Sequence, residues 1–299
     1  SEASSFINNG FSQQVDKSSL QSYLNSRHFL QLRSTCFKKI KNILPGETIE
    51  LDLNNFKKKI INRRNISEYI SEKTYLENKK KTEEELAVEL ESLLEKNLKE
   101  MIPEGRKYCS ILSGGIDSSL ISKILENISK PEFFISLNHI GKDKISNQIS
   151  KFQKFFKNDI NLIDVTLENY YDNLKDSLKI CSSPISSHDF PGKLIIAREV
   201  KNKGCKAIFG GDGADELFGG YSTYFANIKN YKFNHSDYSR FFKNKIKLNV
   251  KGELHFKNKL ETLWNNYTKA YQFLGKDEMS RQTMMLLDTA LQLSSVGMR

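Results

Sequence analysis

A short segment rich in glycine and serine, 111–119, places the strongest constraint on how this chain can fold. The residues just before it, 107–112, form a mostly apolar run that predicts a buried β-strand closed by a Ser/Gly turn. From Asp117 onward, apolar residues recur at helical spacing, at Leu120, Ile121, Ile124, Leu125 and Ile128. The segment is therefore predicted to pass from a strand through a tight turn into the N-terminus of a helix.

A turn of this kind is suited to binding phosphate. Glycine lets the backbone approach an oxyanion closely, and the free amides and partial positive charge at a helix start favour negative charge. Asp117 is in addition a hard oxygen ligand suited to Mg²⁺. The alternative is an ordinary strand-to-helix turn in which Asp117 caps the helix. The residues predicted to form the cradle are Ser113, Gly114, Gly115, Asp117, Ser118 and Ser119.

A second glycine-rich segment, 210–221, follows another short apolar strand and carries three carboxylates, Asp212, Asp215 and Glu216. In an open parallel sheet, ligands bind at the carboxyl ends of the strands, so the two loops are expected to face one site. Two such loops that both supply carboxylates predict a metal–nucleotide site. The alternative for Asp215 and Glu216 is that they cap a short helix after Gly213.

Two family motifs can be recognised in these segments. Residues 113–118 resemble the pyrophosphate-binding loop of the N-type ATP pyrophosphatases, which is shared with tRNA-modifying enzymes, GMP synthetase and NAD synthetase. Residues 211–221 closely resemble the narrower second signature of the glutamine-hydrolysing asparagine synthetases. The resemblance implies an α/β fold: a parallel-sheet ATP pyrophosphatase domain with a mainly helical C-terminal part, preceded by the end of a glutaminase-like β-rich domain.

The resemblance also implies roles for individual residues. Asp117 and Asp215 match the positions that hold the Mg²⁺ ion bridging the pyrophosphate of ATP. Asp212 and Glu216 match catalytic positions, and a carboxylate at 212 is typical of amide-forming synthetases, whereas β-lactam-forming relatives have tyrosine there. The positions that match the adenine pocket are Leu112, Leu137, Gly210 and Gly211.

The implied reaction uses ATP and Mg²⁺ to convert the side-chain carboxylate of aspartate into its adenylate, with release of pyrophosphate, before ammonia attacks the acyl carbon. The ammonia is expected from a glutaminase domain outside this sequence, and a catalytic lysine and most of the acceptor pocket are expected beyond Arg299. Three alternatives stay open: an amidotransferase acting on another small carboxylate of a surface-sugar or antibiotic precursor, a tRNA-binding ATP pyrophosphatase, and a non-catalytic regulatory module.

The same resemblance implies a domain organisation. Residues 1–60 are predicted to end a glutaminase-like domain, with a short helix near 16–24 and a β-hairpin turning at Pro45-Gly46. Residues 61–82, dense in Lys, Arg and Asn, are predicted to be a linker, and 83–299 to be the synthetase domain, so that the chain belongs to a longer protein.

Within 83–299 the apolar pattern alternates between strands and helices. A capping box at Thr82–Glu85 predicts a helix start, and the apolar face expected behind it comprises Leu86, Leu90, Leu93, Leu94 and Met101. Further strands are predicted at 132–137, 162–165 and 206–209, further helices at 145–156 and 189–203, and mainly helical structure after 233. Continuous apolar strands between helices are typical of a parallel sheet covered on both faces.

The composition limits which binding partners and which cellular compartment are expected. The net charge of +10 raises the question of nucleic acid, but the lysines are spread along the chain. The aromatic and basic stretch 221–247 has the residue types that stack on single-stranded bases, although such a stripe favours core packing. The four cysteines contain no Cys-x-x-Cys pair. Without an apolar run of membrane-spanning length or a signal peptide, we expect a cytoplasmic protein with no membrane or nucleic-acid partner, while a homodimer stays open.

Overall fold

The computed structural model describes residues 3–11, 13–26, 33–140, 153–181, 189–225 and 261–290. The chain divides into two compact units, one formed by Ser1–Lys79 together with Gly213–Arg299 and the other by Lys80–Asp212. Among the described residues, no helix combines the length and the apolar character needed to cross a membrane.

The first unit begins with short elements. They are α1 (Ala3–Ile7), α2 (Lys17–Ser26), β1 (Glu47–Leu51), β2 (Lys58–Arg63) and α3 (Glu72–Asn78). The start of α2 is stabilised by Asp16, whose carboxylate accepts a hydrogen bond from the Ser19 amide at 3.1 Å. The helix predicted near 16–24 is thereby confirmed.

The predicted position of the hairpin turn is wrong. Strand β1 pairs in antiparallel fashion with β2, so the hairpin turns within 52–57 rather than at Pro45-Gly46. The Asp52 carboxylate accepts a hydrogen bond from the Asn54 amide at 2.8 Å, which stabilises the turn locally. Gly46 instead has a positive φ of 71° and packs against the Arg64 carbonyl. The Pro-Gly pair therefore leads the chain into β1.

The segment predicted as a linker, 61–82, contains regular structure. It includes the end of β2, a 3-10 turn at Ile66–Tyr69 and helix α3. Within the first unit, the Tyr75 ring on α3 lies 5.5 Å from the Phe273 ring. The domain boundaries at 60 and 82 stay a prediction.

The second unit contains the predicted parallel sheet. Its elements are α4 (Glu83–Met101), β3 (Tyr108–Ile111), α5 (Ile116–Ile128), β4 (Phe134–His139), β5 (Ile160–Val165), α6 (Leu167–Cys181), α7 (Phe190–Asn202) and β6 (Ala207–Phe209). All neighbours in the order β5-β4-β3-β6 are parallel, which confirms the α/β class. Helix α6 was not predicted, and most of the helix predicted at 145–156 lies outside the described residues.

The sheet is packed on both faces because side chains alternate along each strand. Tyr108 of β3 belongs to an apolar cluster with Leu98 of α4 and Leu125 of α5. The next residue, Cys109, belongs to a separate cluster with Ile196 of α7. Both faces of the sheet are thus covered by helices, and its carboxyl edge carries the loops that follow β3 and β6.

Helix α4 has the predicted start, and part of its predicted apolar face is buried. The capping box is confirmed by hydrogen bonds between Thr82 and Glu85 in both directions, at 2.8 and 3.2 Å. The predicted apolar face is confirmed in part: Leu94 packs against the core cluster that contains Leu98, whereas Leu93 and Met101 are 58% and 66% exposed. The difference arises because α4 packs into the core through its C-terminal turns.

The rest of the first unit follows β6. It includes α8 (Ala214–Phe218), a 3-10 turn at Ser222–Tyr224, a helical stretch at 261–268, a 3-10 turn at Lys269–Tyr271 and α9 (Lys276–Asp288). The prediction of mainly helical structure after 233 is confirmed over 261–290, and its other residues lie outside the described part of the chain.

Candidate active site

The two glycine-rich loops meet at the carboxyl edge of the sheet. Strand β3 pairs directly with β6, with Ser110 opposite Phe209, so both loops leave the sheet side by side. The backbone at Gly211 lies so close to α5 that a Cβ atom there would be 2.7 Å from the Ser118 amide nitrogen and 2.8 Å from the Asp117 Cβ. The structure thereby brings together Asp117, Ser118 and Gly211, which the sequence assigned to one site.

Serine hydroxyl groups hold the first loop in shape. The Ser113 and Ser118 hydroxyls are 2.8 Å apart, and the Ser118 oxygen accepts a hydrogen bond from the Ser113 amide at 3.1 Å. The Ser119 hydroxyl donates to the Gly115 carbonyl at 2.7 Å. Ser118 is buried, so its hydroxyl braces the loop in this structure. A role for these hydroxyls as donors to phosphate stays a prediction.

The N-terminus of α5 is open to an incoming anion. Gly115 is its N-cap residue, and among the described residues no side chain caps it. Asp117 lies inside the first turn, so the alternative in which Asp117 caps the helix is wrong. Ile116 is 85% exposed, and Gly114 has a positive φ of 83°, which favours glycine. The backbone amides and the helix dipole therefore form an anion-binding surface at this edge.

The residues assigned to the adenine pocket have different surroundings. The Leu112 side chain is fully buried in a cluster with Phe134, while Leu137 is partly buried on the other face. A Cβ at Gly210 would make only an ordinary contact, 3.9 Å from the Ile111 Cδ1. The described geometry places these residues near the carboxyl ends of β3, β4 and β6, and their contact with adenine stays a prediction.

A lysine that the sequence analysis did not single out lies beside Asp212. The Lys193 ammonium nitrogen on α7 is 3.4 Å from the Asp212 Oδ2 atom. The sequence contains one signal that could have pointed to Lys193. It lies early in a predicted helix, where the positive end of the helix dipole disfavours a cation. A cation on α7 and an anion in the loop after β6 thus lie together at the carboxyl edge of the sheet.

The remaining carboxylates of the second motif lie in the first unit, on α8. Gly213 is the N-cap of α8 and no side chain caps this helix among the described residues, so the alternative of capping by Asp215 or Glu216 is wrong. Asp215 packs against Gly220, where a Cβ atom would overlap its carboxylate. A glycine at 220 is therefore required for the observed position of Asp215.

Glu216 is buried and forms part of an acidic cluster in the first unit. Burial is the main cause that raises the pKa of its carboxyl above the ordinary value, and the nearby carboxylates of Asp215 and Asp288 raise it further. The Tyr221 hydroxyl donates to the Glu216 Oε1 at 3.2 Å, which opposes that rise. The Tyr224 hydroxyl donates to the Asp288 Oδ2 at 2.8 Å and ties the 3-10 turn that follows the second motif to α9.

The donors fit a nucleotide bound with Mg²⁺. The described residues contain no group of three or more His, Cys, Asp or Glu side chains that could enclose a metal ion. Mg²⁺ is commonly held by one or two carboxylates together with phosphates and water, so a single carboxylate at the phosphate cradle is sufficient as a protein ligand. Asp117 meets this requirement in the second unit, and its pairing with Asp215 stays a prediction.

The close approach of Gly211 predicts a stability effect. Gly211→Ala should lower the free energy of unfolding by about 1–3 kcal/mol, because the added methyl group would push against the backbone of 117–118. Urea-induced unfolding followed by circular dichroism measures the change. Gly210→Ala is the matched control, with an expected effect below about 1 kcal/mol. Equal effects of the two substitutions would contradict the close approach.

The burial of Glu216 predicts a pH effect. Because its folded-state pKa lies above the ordinary value of 4.5, its contribution to stability is fully present below pH 4.5 and is lost as the pH rises through the folded-state pKa. Glu216→Gln stays neutral throughout, so the variant should gain stability relative to the unchanged chain as the pH is raised from 4.5 towards neutrality. Unfolding midpoints across this range measure the gain. The exposed Glu261→Gln variant should show no such trend, and a flat difference for Glu216→Gln would refute the assignment.

Comparison with known proteins identifies the family of this chain. The family model of asparagine synthase matches residues 89–293, more than half of the chain. No curated protein matches the chain in sequence. Among solved structures, the chain is similar to the NH3-dependent NAD synthetase from Campylobacter jejuni subsp. jejuni NCTC 11168 in complex with the nitrate ion, with 15% identity, a TM-score of 0.34, and coverage of 69% of this chain and 95% of that chain. A TM-score this low supports no conclusion about fold or function. The family match over 89–293 shows that the chain belongs to the asparagine synthase family of ATP-dependent amide-forming ligases.

Proposed function

We propose that this chain activates the side-chain carboxylate of aspartate with ATP and supports its amidation by ammonia. The observation that carries the proposal is the uncapped N-terminus of α5, closed on one side by the backbone of Gly211. This arrangement offers backbone amides and a positive helix end to a polyphosphate. Membership of the asparagine synthase family supports amide formation as the purpose of that binding.

The loop residues would bind and orient the phosphates. The amides at the start of α5 lie on a loop whose shape is fixed by the Ser113–Ser118 hydrogen bond, so little ordering is needed when a ligand binds. Asp117 and Asp215 are the proposed Mg²⁺ ligands. The ion, when bound, neutralises charge on the phosphates and so favours departure of pyrophosphate.

The proposed chemistry has two balanced steps. A carboxylate oxygen of aspartate attacks the α-phosphorus of ATP, the bond to the β-phosphate oxygen breaks, and pyrophosphate leaves. Ammonia then attacks the acyl carbon, the carbon–oxygen bond to AMP breaks, and a proton is released as the amide forms. Conversion into a mixed anhydride is needed because a free carboxylate has no good leaving group.

Asp212 is the residue that we assign to the second step. Its carboxylate follows directly after Gly211, and its side chain is 63% exposed at the edge of the sheet. An exposed carboxylate at this position can accept a proton from the attacking ammonia or hold the amine close to the acyl carbon. Glu216, being buried, is assigned a supporting role in shaping α8.

The nitrogen donor and the location in the cell belong to the same proposal. Ammonia would come from a glutaminase domain, and the protein would work in the cytoplasm without a membrane or nucleic-acid partner. The stretch that raised nucleic acid as an alternative, 221–247, lies largely outside the described residues.

Pyrophosphate release tests the substrate. In the full-length protein supplied with MgATP and an ammonium salt, L-aspartate should stimulate release of pyrophosphate, with one asparagine formed for each pyrophosphate. A coupled pyrophosphate assay together with amino-acid analysis measures both products. If only a different carboxylate stimulated the release, aspartate would be ruled out as the substrate. The alternative amidotransferase, which acts on a surface-sugar or antibiotic precursor, would then be favoured. Tight, steeply salt-dependent binding of tRNA would instead favour the nucleic-acid alternative.

Substitution of the proposed metal ligands tests the site. Asp117→Asn and Asp215→Asn should each reduce Mg²⁺-dependent turnover of ATP by at least about 100-fold, because each removes a charged ligand with little change in shape. Asp172→Asn, on the exposed surface of α6, is the matched control and should keep full turnover. Full activity in either of the first two variants would remove that residue from the site.

A further inference from the structure

Lys193 occupies an unusual position for a lysine. It lies near the start of α7, where its amide donates to the Asp189 carbonyl at 2.9 Å. The positive end of a helix dipole disfavours a cation there, typically by a few tenths of a kcal/mol to about 1 kcal/mol. The helix dipole therefore does not favour a lysine at this position.

The ion pair between Lys193 and Asp212 is weak. The two side chains are 39% and 63% exposed, and their charged atoms are 3.4 Å apart. Exposed pairs of this kind contribute about 0–1 kcal/mol, since water screens the charges. Such a weak pair can be exchanged readily for another partner. An anion that enters the site can therefore replace Asp212 at the Lys193 ammonium group.

The surroundings of Lys193 connect it to the nucleotide loops. Its neighbour Gly192 packs on β4 so closely that a Cβ atom would be 2.9 Å from the Leu137 Cδ1. Its partner Asp212 follows Gly211, which touches Ser118 at the phosphate loop. Lys193 thus extends from the face of the sheet covered by α7 to the edge where the loops after β3 and β6 meet.

We propose that Lys193 is an anion-binding residue of the active site that exchanges its contact with Asp212 for an anionic group of a substrate. The anion is a phosphate of the nucleotide or the carboxylate of the acceptor, which share the same chemistry. This inference rests on the proposed function, because it requires that the same edge binds both molecules.

Two lysines on one helix provide the test. Lys193→Met keeps the length of the side chain and removes its charge, and Lys201→Met makes the same change near the exposed far end of α7. If the anion is a phosphate, Lys193→Met should weaken binding of MgATP by about 10-fold or more while binding of adenosine is unchanged. If the anion is the acceptor carboxylate, the KM for the acceptor should rise by a similar factor with ATP binding unchanged. Lys201→Met should alter neither quantity.

A double-mutant cycle checks that Asp212 competes with the anion. Asp212→Asn should strengthen anion binding in the unchanged chain by a larger factor than in the Lys193→Met chain, since only in the first does it release the lysine. Lys193→Arg should restore most of the lost affinity. If the unchanged chain binds MgATP, and Lys193→Met affects neither ATP nor the acceptor, the inference about Lys193 is overturned while the proposed function stands. Failure of the unchanged chain to bind MgATP would overturn both.

Discussion

The close approach between the backbone of Gly211 and the first turn of α5 is the constraint on which the rest of the second unit depends. It requires β3 and β6 to be direct neighbours, parallel and in the observed register, so that their loops leave the same edge. It requires glycine at 211, because a larger residue would push against Asp117 and Ser118. The helices that cover the two faces of the sheet hold these strands in place.

This constraint explains why so much of the site was predictable. Parallel strands that end at the same edge place their loops together by geometry alone, so two glycine-rich motifs after two apolar runs were sufficient to bring Asp117 and Gly211 into one prediction. The strands were predictable for a similar reason, since buried parallel strands are short, continuous apolar runs. The identity of the family followed from the spacing within the motifs rather than from the composition.

The predictions that differ from the structure do so for physical reasons as well. The hairpin was misplaced because Pro45-Gly46 is a strong turn signal, whereas the turn that pairs β1 with β2 is stabilised by Asp52 through a local side-chain bond. The prediction for α4 is only partly right because periodicity shows that a helix is amphipathic but not which of its turns reach the core. Lys193 was missed because its meaning comes from Asp212, which is distant in sequence and lies close only in the folded chain.

The uncapped start of α5 carries a cost in thermal robustness. A serine, threonine, aspartate or asparagine at position 115 would strengthen such a helix by about a few tenths of a kcal/mol relative to glycine, yet its oxygen would occupy the amides that an anion needs. Selection for heat resistance alone would therefore favour sequences that close this end of the helix. Glycine at position 115 forgoes this small gain in helix stability and leaves the amides at the start of α5 open to an anion.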